Sequence, residues 1–388
     1  MARERVYLDW NATTPVRPEA RAAMASAWDV AGNPSSVHAE GRAARLIVEE
    51  ARARVAAAAG AETRNVIFTS GGTEANSLAL APGLRGGSGL AINRLAVSAI
   101  EHVSVLAGGR FAQAAVERVR VTKSGVVDLD HLGELLQGRP PTLVSVMSAN
   151  NETGALQPTA KIARIVHDAG GLLHVDAVQS LGKEPIDLNE MGADLISLSA
   201  HKIGGPKGTG GLVLRDGIEG LGAVLRGGGQ EKGRRAGTED VAGIAGFGAA
   251  AEAAMASIVE VKGVEKLRNR LEAALRRTRG VFVFSEDTPR LPNTTLFTAR
   301  GLIAETAVIG FDLEGIAVSS GSACSSGRVQ PSHVLEAMGF GPEPAKGAVR
   351  LSLGWSTTEA DVDRCIEAWR KLSSALLKGY DETHLERF

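Results

Sequence analysis

Apolar residues fall along this chain in short runs, and nearly every run ends on polar residues or glycine. Val66-Ile67-Phe68-Thr69 runs into Ser70-Gly71-Gly72-Thr73-Glu74, Leu95-Ala96-Val97-Ser98-Ala99-Ile100 into Glu101-His102, and Leu143-Val144-Ser145-Val146-Met147-Ser148 into Asn150-Asn151-Glu152. Leu172-Leu173-His174-Val175 ends at Asp176 with Gln179 just beyond, and Leu195-Ile196-Ser197-Leu198 leads to Ser199-Ala200-His201-Lys202. Runs of this length bounded by turn residues predict buried strands. Between several of them the apolar period lengthens to that of a helix. Ala44, Ile47, Val48, Ala51 and Val55 form one stripe over 40–59, which Gly60 ends, and a second helix is expected over 159–169. Alternating strands and helices predict an α/β fold around a mostly parallel sheet flanked by helices, with ligands outside the carboxyl ends of the strands. Further strands are expected at 211–214, 281–284 and 294–297, and further helices at 241–255, 261–277, 305–313 and 359–377.

Length and composition narrow this picture. The 388 residues are too many for one small core and fit a large domain with a smaller one. A formal charge of −1 gives no reason to expect a nucleic-acid partner or an anionic membrane surface. No apolar run approaches the roughly 20 residues of a membrane span, and the first residues lack a signal-peptide apolar core. Only two cysteines, Cys324 and Cys365, are present, so neither a disulfide framework nor a structural zinc site is expected and a reducing cytoplasm fits. No Gly-x-Gly-x-x-Gly follows a strand, which disfavours a dinucleotide enzyme.

The candidate chemistry sits at the strand ends. Gly72 and Thr73 open a helix after a strand and a glycine turn, the arrangement that offers free backbone N–H groups to a phosphate. Lys202 after its strand is read either as a surface lysine or as a Schiff-base lysine. If it anchors pyridoxal 5′-phosphate, that cofactor needs phosphate donors (Gly72, Thr73, Ser199, His201), a carboxylate for its ring nitrogen (Asp176) and a partner for its ring face (His102). Arg350, among apolar neighbours, is either half of a structural ion pair or a clamp for a substrate carboxylate. Cys365 has helical apolar company and reads as core. Cys324 lies in Ser319-Ser320-Gly321-Ser322-Ala323-Cys324, a small, polar stretch suited either to an inert loop thiol or to a nucleophile on a mobile arm. The triple-glycine stretch around Gly227-Gly228-Gly229 is a long loop of the kind that carries function or disorder.

Together these stretches, with Tyr7-Leu8-Asp9, Asn11-Ala12-Thr13-Thr14-Pro15 and Val349-Arg350-Leu351-Ser352-Leu353-Gly354, resemble the pyridoxal-phosphate-dependent cysteine desulfurases of the NifS/IscS type, in the class V aminotransferase family of fold type I. The matches span nearly the whole chain in the family's order. The resemblance implies a large cofactor-binding domain over 15–258. It implies a smaller α+β domain from 1–14 and 259–378, with a mobile cysteine loop at about 319–330 and a tail at 379–388. It implies that Lys202 bonds the cofactor, Asp176 pairs with its ring nitrogen, Gln179 with its phenolic oxygen, and His102 stacks on the ring and moves protons. Gly72, Thr73, Ser199 and His201 would hold the phosphate, Asn151 would lie by substrate and ring oxygen, and Arg350 would take the carboxylate of L-cysteine. Thr238 would complete the neighbouring site of a homodimer. Cys324 would receive the sulfur as a persulfide, leaving L-alanine, for transfer to an iron–sulfur scaffold or a sulfurtransferase. The tail does not match the one that long IscS relatives use to dock a scaffold. A selenocysteine lyase, or another β-eliminating lyase of this fold, would keep Lys202 and Asp176 without needing Cys324. The reading from another class is a non-catalytic sulfur-transfer partner, and the intact Lys202, Asp176, His102 and Cys324 argue against it.

Overall fold

A computed structural model describes residues 5–87, 89–321 and 331–377; Cys324 and the tail 379–388 lie outside the described residues. The strands in chain order are β1 (Val6–Tyr7), β2 (Val66–Thr69), β3 (Arg94–Ser98), β4 (Val116–Val119), β5 (Thr142–Met147), β6 (Leu172–Asp176), β7 (Leu195–Ser199) and β8 (Gly210–Leu214), then β9 (Val281–Val283), β10 (Thr294–Ala299), β11 (Ile316–Ala317), β12 (Ser319–Ser320) and β13 (Val349–Ser352). The helices are α1 (Pro18–Trp28), α2 (Ala39–Ala58), α3 (Gly72–Ala79), α4 (Val103–Leu106), α5 (Leu129–Leu136) and α6 (Thr159–Asp168), then α7 (Val241–Ala256), α8 (Val261–Leu275), α9 (Ala304–Leu313), α10 (His333–Ala337), α11 (Pro342–Gly347) and α12 (Glu359–Leu376).

Seven strands form the main sheet in the order β2-β8-β7-β6-β5-β3-β4. The run β7-β6-β5-β3-β4 is parallel, whereas β8 is antiparallel to both its neighbours. Only β8 is therefore reversed, and β2 points the same way as the rest. That direction carries Gly72 and Thr73, which follow β2, to the edge where Asp176 and Lys202 emerge.

The strands are apolar throughout because both sheet faces are covered. Val213 on β8 packs with Val48, Ala51 and Val55 of α2 in one cluster. Leu212 and Leu214, on the opposite face, pack with Ala75 and Leu78 of α3 in another. Small residues let α7 approach closely: a Cβ on Gly248 would stand 2.6 Å from the Ala51 Cα.

A second sheet, β12-β13-β10-β9, is antiparallel, and β1 pairs beside it with β11. Its core gathers Phe297, Phe311, Leu271, Cys365 and Trp369 from β10, α8, α9 and α12. Cys365 is fully buried there and burial pushes its thiol up to about 12, as expected of a packing residue. The chain's first strand lies beside this sheet, in a separate two-stranded pair with β11. Leu8 donates to Ala317 and accepts from Ser352 through its backbone, after which the chain crosses to the main sheet at Asn11. The sequence reading missed helices α1, α4, α5, α10 and α11 and strands β4, β11 and β12. Helix α1 buries only Ala20 and Ala27, too few to leave a stripe in the pattern.

No helix among the described residues is long and apolar enough to cross a membrane, and no cluster of metal-ligating side chains occurs among them.

Candidate active site

The carboxyl ends of the main strands open into a cavity of about 300 Å³. Its walls include Gly72, Thr73, His102, Asn151, Asp176, Gln179, Ser199, His201, Lys202 and Arg350. Ten residues singled out from the sequence thus meet in one place. Thr238 does not line it; it is exposed in the loop before α7.

Each wall has a local cause. Lys202 closes a 3₁₀ turn, Ala200–Lys202, directly after β7. Its Nζ donates to the Asn11 carbonyl and, at 2.8 Å, to the Ala12 carbonyl. Asp176 is the last residue of β6 and is only 6% exposed. Its Oδ1 accepts from the Val178 amide at 3.0 Å and its Oδ2 from Asn76 Nδ2 at 2.8 Å. Asn76 reaches it from α3 and also donates to Ser104 at 2.9 Å. His102 caps α4, and its Nδ1 accepts from the Ser104 amide at 3.2 Å, which fixes that nitrogen as acceptor. Burial lowers the His102 pKa against the opposing pull of Asp176. Burial and then the nearby lysine charges, Lys202 first, bring His201 down to about 4, so this side chain is a neutral hydrogen-bonding group.

The start of α3 is shaped for an anion. No side chain caps it at Gly71, so its leading N–H groups are not taken up by a cap. A Cβ on Gly72 would meet Val178 Cγ2 at 2.9 Å and Ser199 Cβ at 3.5 Å, so the glycine is what allows helix, turn and strand to converge. Glu74 lies just behind, accepting from the Ser70 amide at 2.7 Å and pairing with Arg235 at 3.1 Å. Uncapped helix amides with Thr73, Ser199 and His201, a carboxylate and a lysine lining one cavity are the donor and charge set that pyridoxal phosphate requires. The residues present fit that group.

Arg350 comes from β13 of the second sheet and is 1% exposed. Its Nη2 donates to Asp9 Oδ1 at 2.7 Å and its Nη1 to the Asn151 carbonyl at 3.0 Å, while its Nε is buried without a hydrogen-bond partner. The ion-pair reading of Arg350 therefore holds, and the side chain also lines the cavity with donor capacity left.

Four neighbours escaped the sequence reading: Asn11, Asn76, Ser104 and Lys183. Asn11 joins the two sheets. Its Nδ2 donates to Thr294 at 2.9 Å, its Oδ1 accepts from Lys183 at 3.0 Å, and its carbonyl accepts from Gln179 Nε2 at 3.0 Å. The only signal for Asn76 was a polar residue amid the apolar face of α3.

The residues bounding 322–330 lie close to this site. Ser319 pairs in register with Arg350, and the Gly321 amide donates to the Ala348 carbonyl at 2.9 Å. On the far side, Ser332 Oγ donates to Glu152, the neighbour of Asn151. Burial raises the Glu152 carboxyl to about 7 against the pull of Ser332 and Arg350.

The family model of aminotransferase class-V matches residues 6–365. A cysteine desulfurase of Cereibacter sphaeroides is 43% identical over 371 residues, 94% of this chain and 94% of that protein. The cysteine desulfurase IscS of Dictyoglomus turgidum is 38% identical over 382 residues, covering 97% and 96%. Among solved structures, a NifS-like protein from Rickettsia africae superposes with a TM-score of 0.87 at 38% identity, covering 96% of this chain and all of that one.

Proposed function

The chain belongs to the aminotransferase class-V family, and we propose that it is a pyridoxal-phosphate-dependent cysteine desulfurase, converting L-cysteine to L-alanine and passing the sulfur on through Cys324. The observation that carries this reading is the convergence of Lys202, Asp176 and Arg350, from two different sheets, on one cavity. We take 15–258 as the cofactor-binding unit, and 1–14 with 259–378 as the unit that brings Arg350 and the cysteine segment.

When bound, pyridoxal phosphate supplies an electron sink that makes the Cα proton of the amino acid acidic and the Cβ–S bond labile. The amides at the start of α3 with Thr73, Ser199 and His201 would hold its phosphate. Asp176 would face its ring nitrogen, Gln179 its phenolic oxygen and His102 its ring. Arg350 would grip the substrate carboxylate and so hold the amino acid in the cavity that Lys202 also lines. Asn151 stands beside the substrate, its carbonyl holding Arg350 in place. Lys202 takes the Cα proton and returns it, and His102, whose Nδ1 accepts from Ser104 and whose proton therefore sits on Nε2, would lie against the ring and offer that N–H. Cys324 as thiolate forms the new S–S bond as the Cβ–S bond breaks. The electron pair of that broken bond stays with Cβ, a proton takes the place of sulfur, and alanine and a Cys324 persulfide result.

Register supports the last role: β12 runs against Arg350 and leads into the segment that contains Cys324. Thr238, exposed and outside its own cavity, is suited to the phosphate of a second copy, so the active unit in this reading is a homodimer in the cytoplasm. The acceptor is an iron–sulfur scaffold or a sulfurtransferase.

The test is Cys324→Ala with pyridoxal phosphate bound. The visible cofactor band is expected to persist while sulfide release from L-cysteine under reducing conditions falls to background. Full activity in that variant sinks the persulfide route.

A further inference from the structure

Close to Lys202 stands a second lysine that the proposed mechanism does not use. Lys183 lies four residues after Gln179 in a tight turn in which the Lys183 amide donates to the Ser180 carbonyl at 2.9 Å, so the two side chains emerge on one face. Lys183 Nζ donates to Gln179 Oε1 at 2.8 Å and to Asn11 Oδ1 at 3.0 Å. Asn293 Nδ2 also donates to Asn11 Oδ1, at 3.1 Å. The other end of the Gln179 amide, Nε2, donates to the Asn11 carbonyl at 3.0 Å, and Gln179 lines the cavity.

A carboxamide has an accepting and a donating end of nearly the same shape, and its environment decides which faces where. We propose that Lys183 is a positioning residue that sets the Gln179 amide, holding its oxygen away from the cavity so that its N–H₂ is the end presented to the cofactor. Lys183 suits this task because an ammonium donates and does not accept. With Oε1 occupied, the cavity-side contact of Gln179 is a donated hydrogen bond, which favours the ionised form of a phenolic oxygen. Asn11 fixes the ammonium from the other side, so the chain start from the second sheet takes part in the same alignment. Burial, then the charges of Lys202 and Arg350, lower the Lys183 pKa, but both of its partners are oxygens, so Nζ donates to them whether or not it is charged. The inference rests on the reading of the cavity as a pyridoxal phosphate site with Gln179 at the phenolic oxygen.

The experiment is a pH titration of the visible absorption band of the dimeric, cofactor-loaded protein without substrate. Losing the donated bond disfavours the ionised phenolic oxygen, so Lys183→Met is expected to raise the midpoint by roughly half to one pH unit, the size of one hydrogen bond. Gln179→Leu is expected to raise it equally, and the double variant no further, because Lys183 acts through Gln179. Lys183→Ala, which only removes atoms, gives the same rise and serves if the methionine variant does not fold. A midpoint unmoved in a folded Lys183 variant overturns the proposal, and so do shifts that add in the double variant, since they report charge alone. A wild-type protein that takes up no chromophore overturns the cofactor reading and this inference with it.

Discussion

Arg350 and Asp9 meet at 2.7 Å across the strands that join the chain start to the second sheet. The pair leaves the guanidinium buried and oriented, with its Nε unpartnered. The desolvation of the guanidinium is then already met in the fold, and binding a second carboxylate, that of the substrate, costs only the burial of that carboxylate. Arg350→Lys is expected to raise KM for L-cysteine about tenfold or more, because an ammonium cannot form the planar two-pronged contact. The cofactor band should remain. Steady-state alanine formation at varied cysteine measures it, and an unchanged KM removes Arg350 from the substrate site.

Asp176 is held by Asn76 and the Val178 amide. Asp176→Asn removes the charge while keeping the shape, and is expected to lower kcat by about 100-fold or more. Asn76→Leu removes one hydrogen bond to that carboxylate and is expected to cost about tenfold. Single-turnover alanine formation separates both from changes in product release. Equal rates in wild type and Asp176→Asn would rule out a ring-nitrogen partner here.

Glu231 anchors the loop that follows the three glycines. It takes both Nη groups of Arg52, at 2.7 and 2.9 Å, and the Phe68 amide at 3.0 Å. The loop bends sharply to deliver it, with φ of +48° at Glu231 and +58° at Lys232. Side chains here are 11% and 3% exposed for Arg52 and Glu231, so Glu231→Ala takes the two-pronged partner from an enclosed arginine and leaves it the exposed Glu49 and the Val66 carbonyl. A loss of about 3 kcal/mol in denaturant unfolding is expected, and a loss under about 0.5 kcal/mol would show that the pair contributes nothing net.

His174 lies fully buried between two serines, its Nδ1 2.8 Å from Ser145 Oγ and its Nε2 2.9 Å from Ser197 Oγ. Burial brings its pKa from 6.5 down to about 3. The unfolded imidazole binds its proton near 6.5 and the folded one does not, so stability is full above that value and declines as pH falls through the window toward 3. His174→Gln is expected to remove up to about 3 kcal/mol of that decline between pH 7 and pH 4.5. Unfolding midpoints at pH 7 and pH 4.5 measure it, and an unchanged difference between the two would refute it.

The strands, the helix stripe of α2 and the polar residues at strand ends were legible because they are local. A period of 2 or 3.6, a glycine that stops a helix, and a lysine after an apolar run need no knowledge of distant chain. Residue types also carried the family, since Lys202, Asp176, His102 and the Gly72-Thr73 helix start stand in that family's order. Other features were illegible for an equally physical reason. Asn11 contacts Lys202 and Thr294, 191 and 283 residues away in sequence, and nothing in its own neighbourhood distinguishes it from a turn asparagine. Asn76 and Lys183 likewise gain meaning only from Asp176 and Gln179. Whether Arg350 was an ion-pair partner or a cavity residue was undecidable from apolar neighbours, and the fold makes it both. The sequence by itself determined which chemical groups are present and which elements carry them. Tertiary structure decided which groups meet, because a single reversed strand, β8, sets the direction of β2, and because the chain start crosses from one sheet to the other at Asn11.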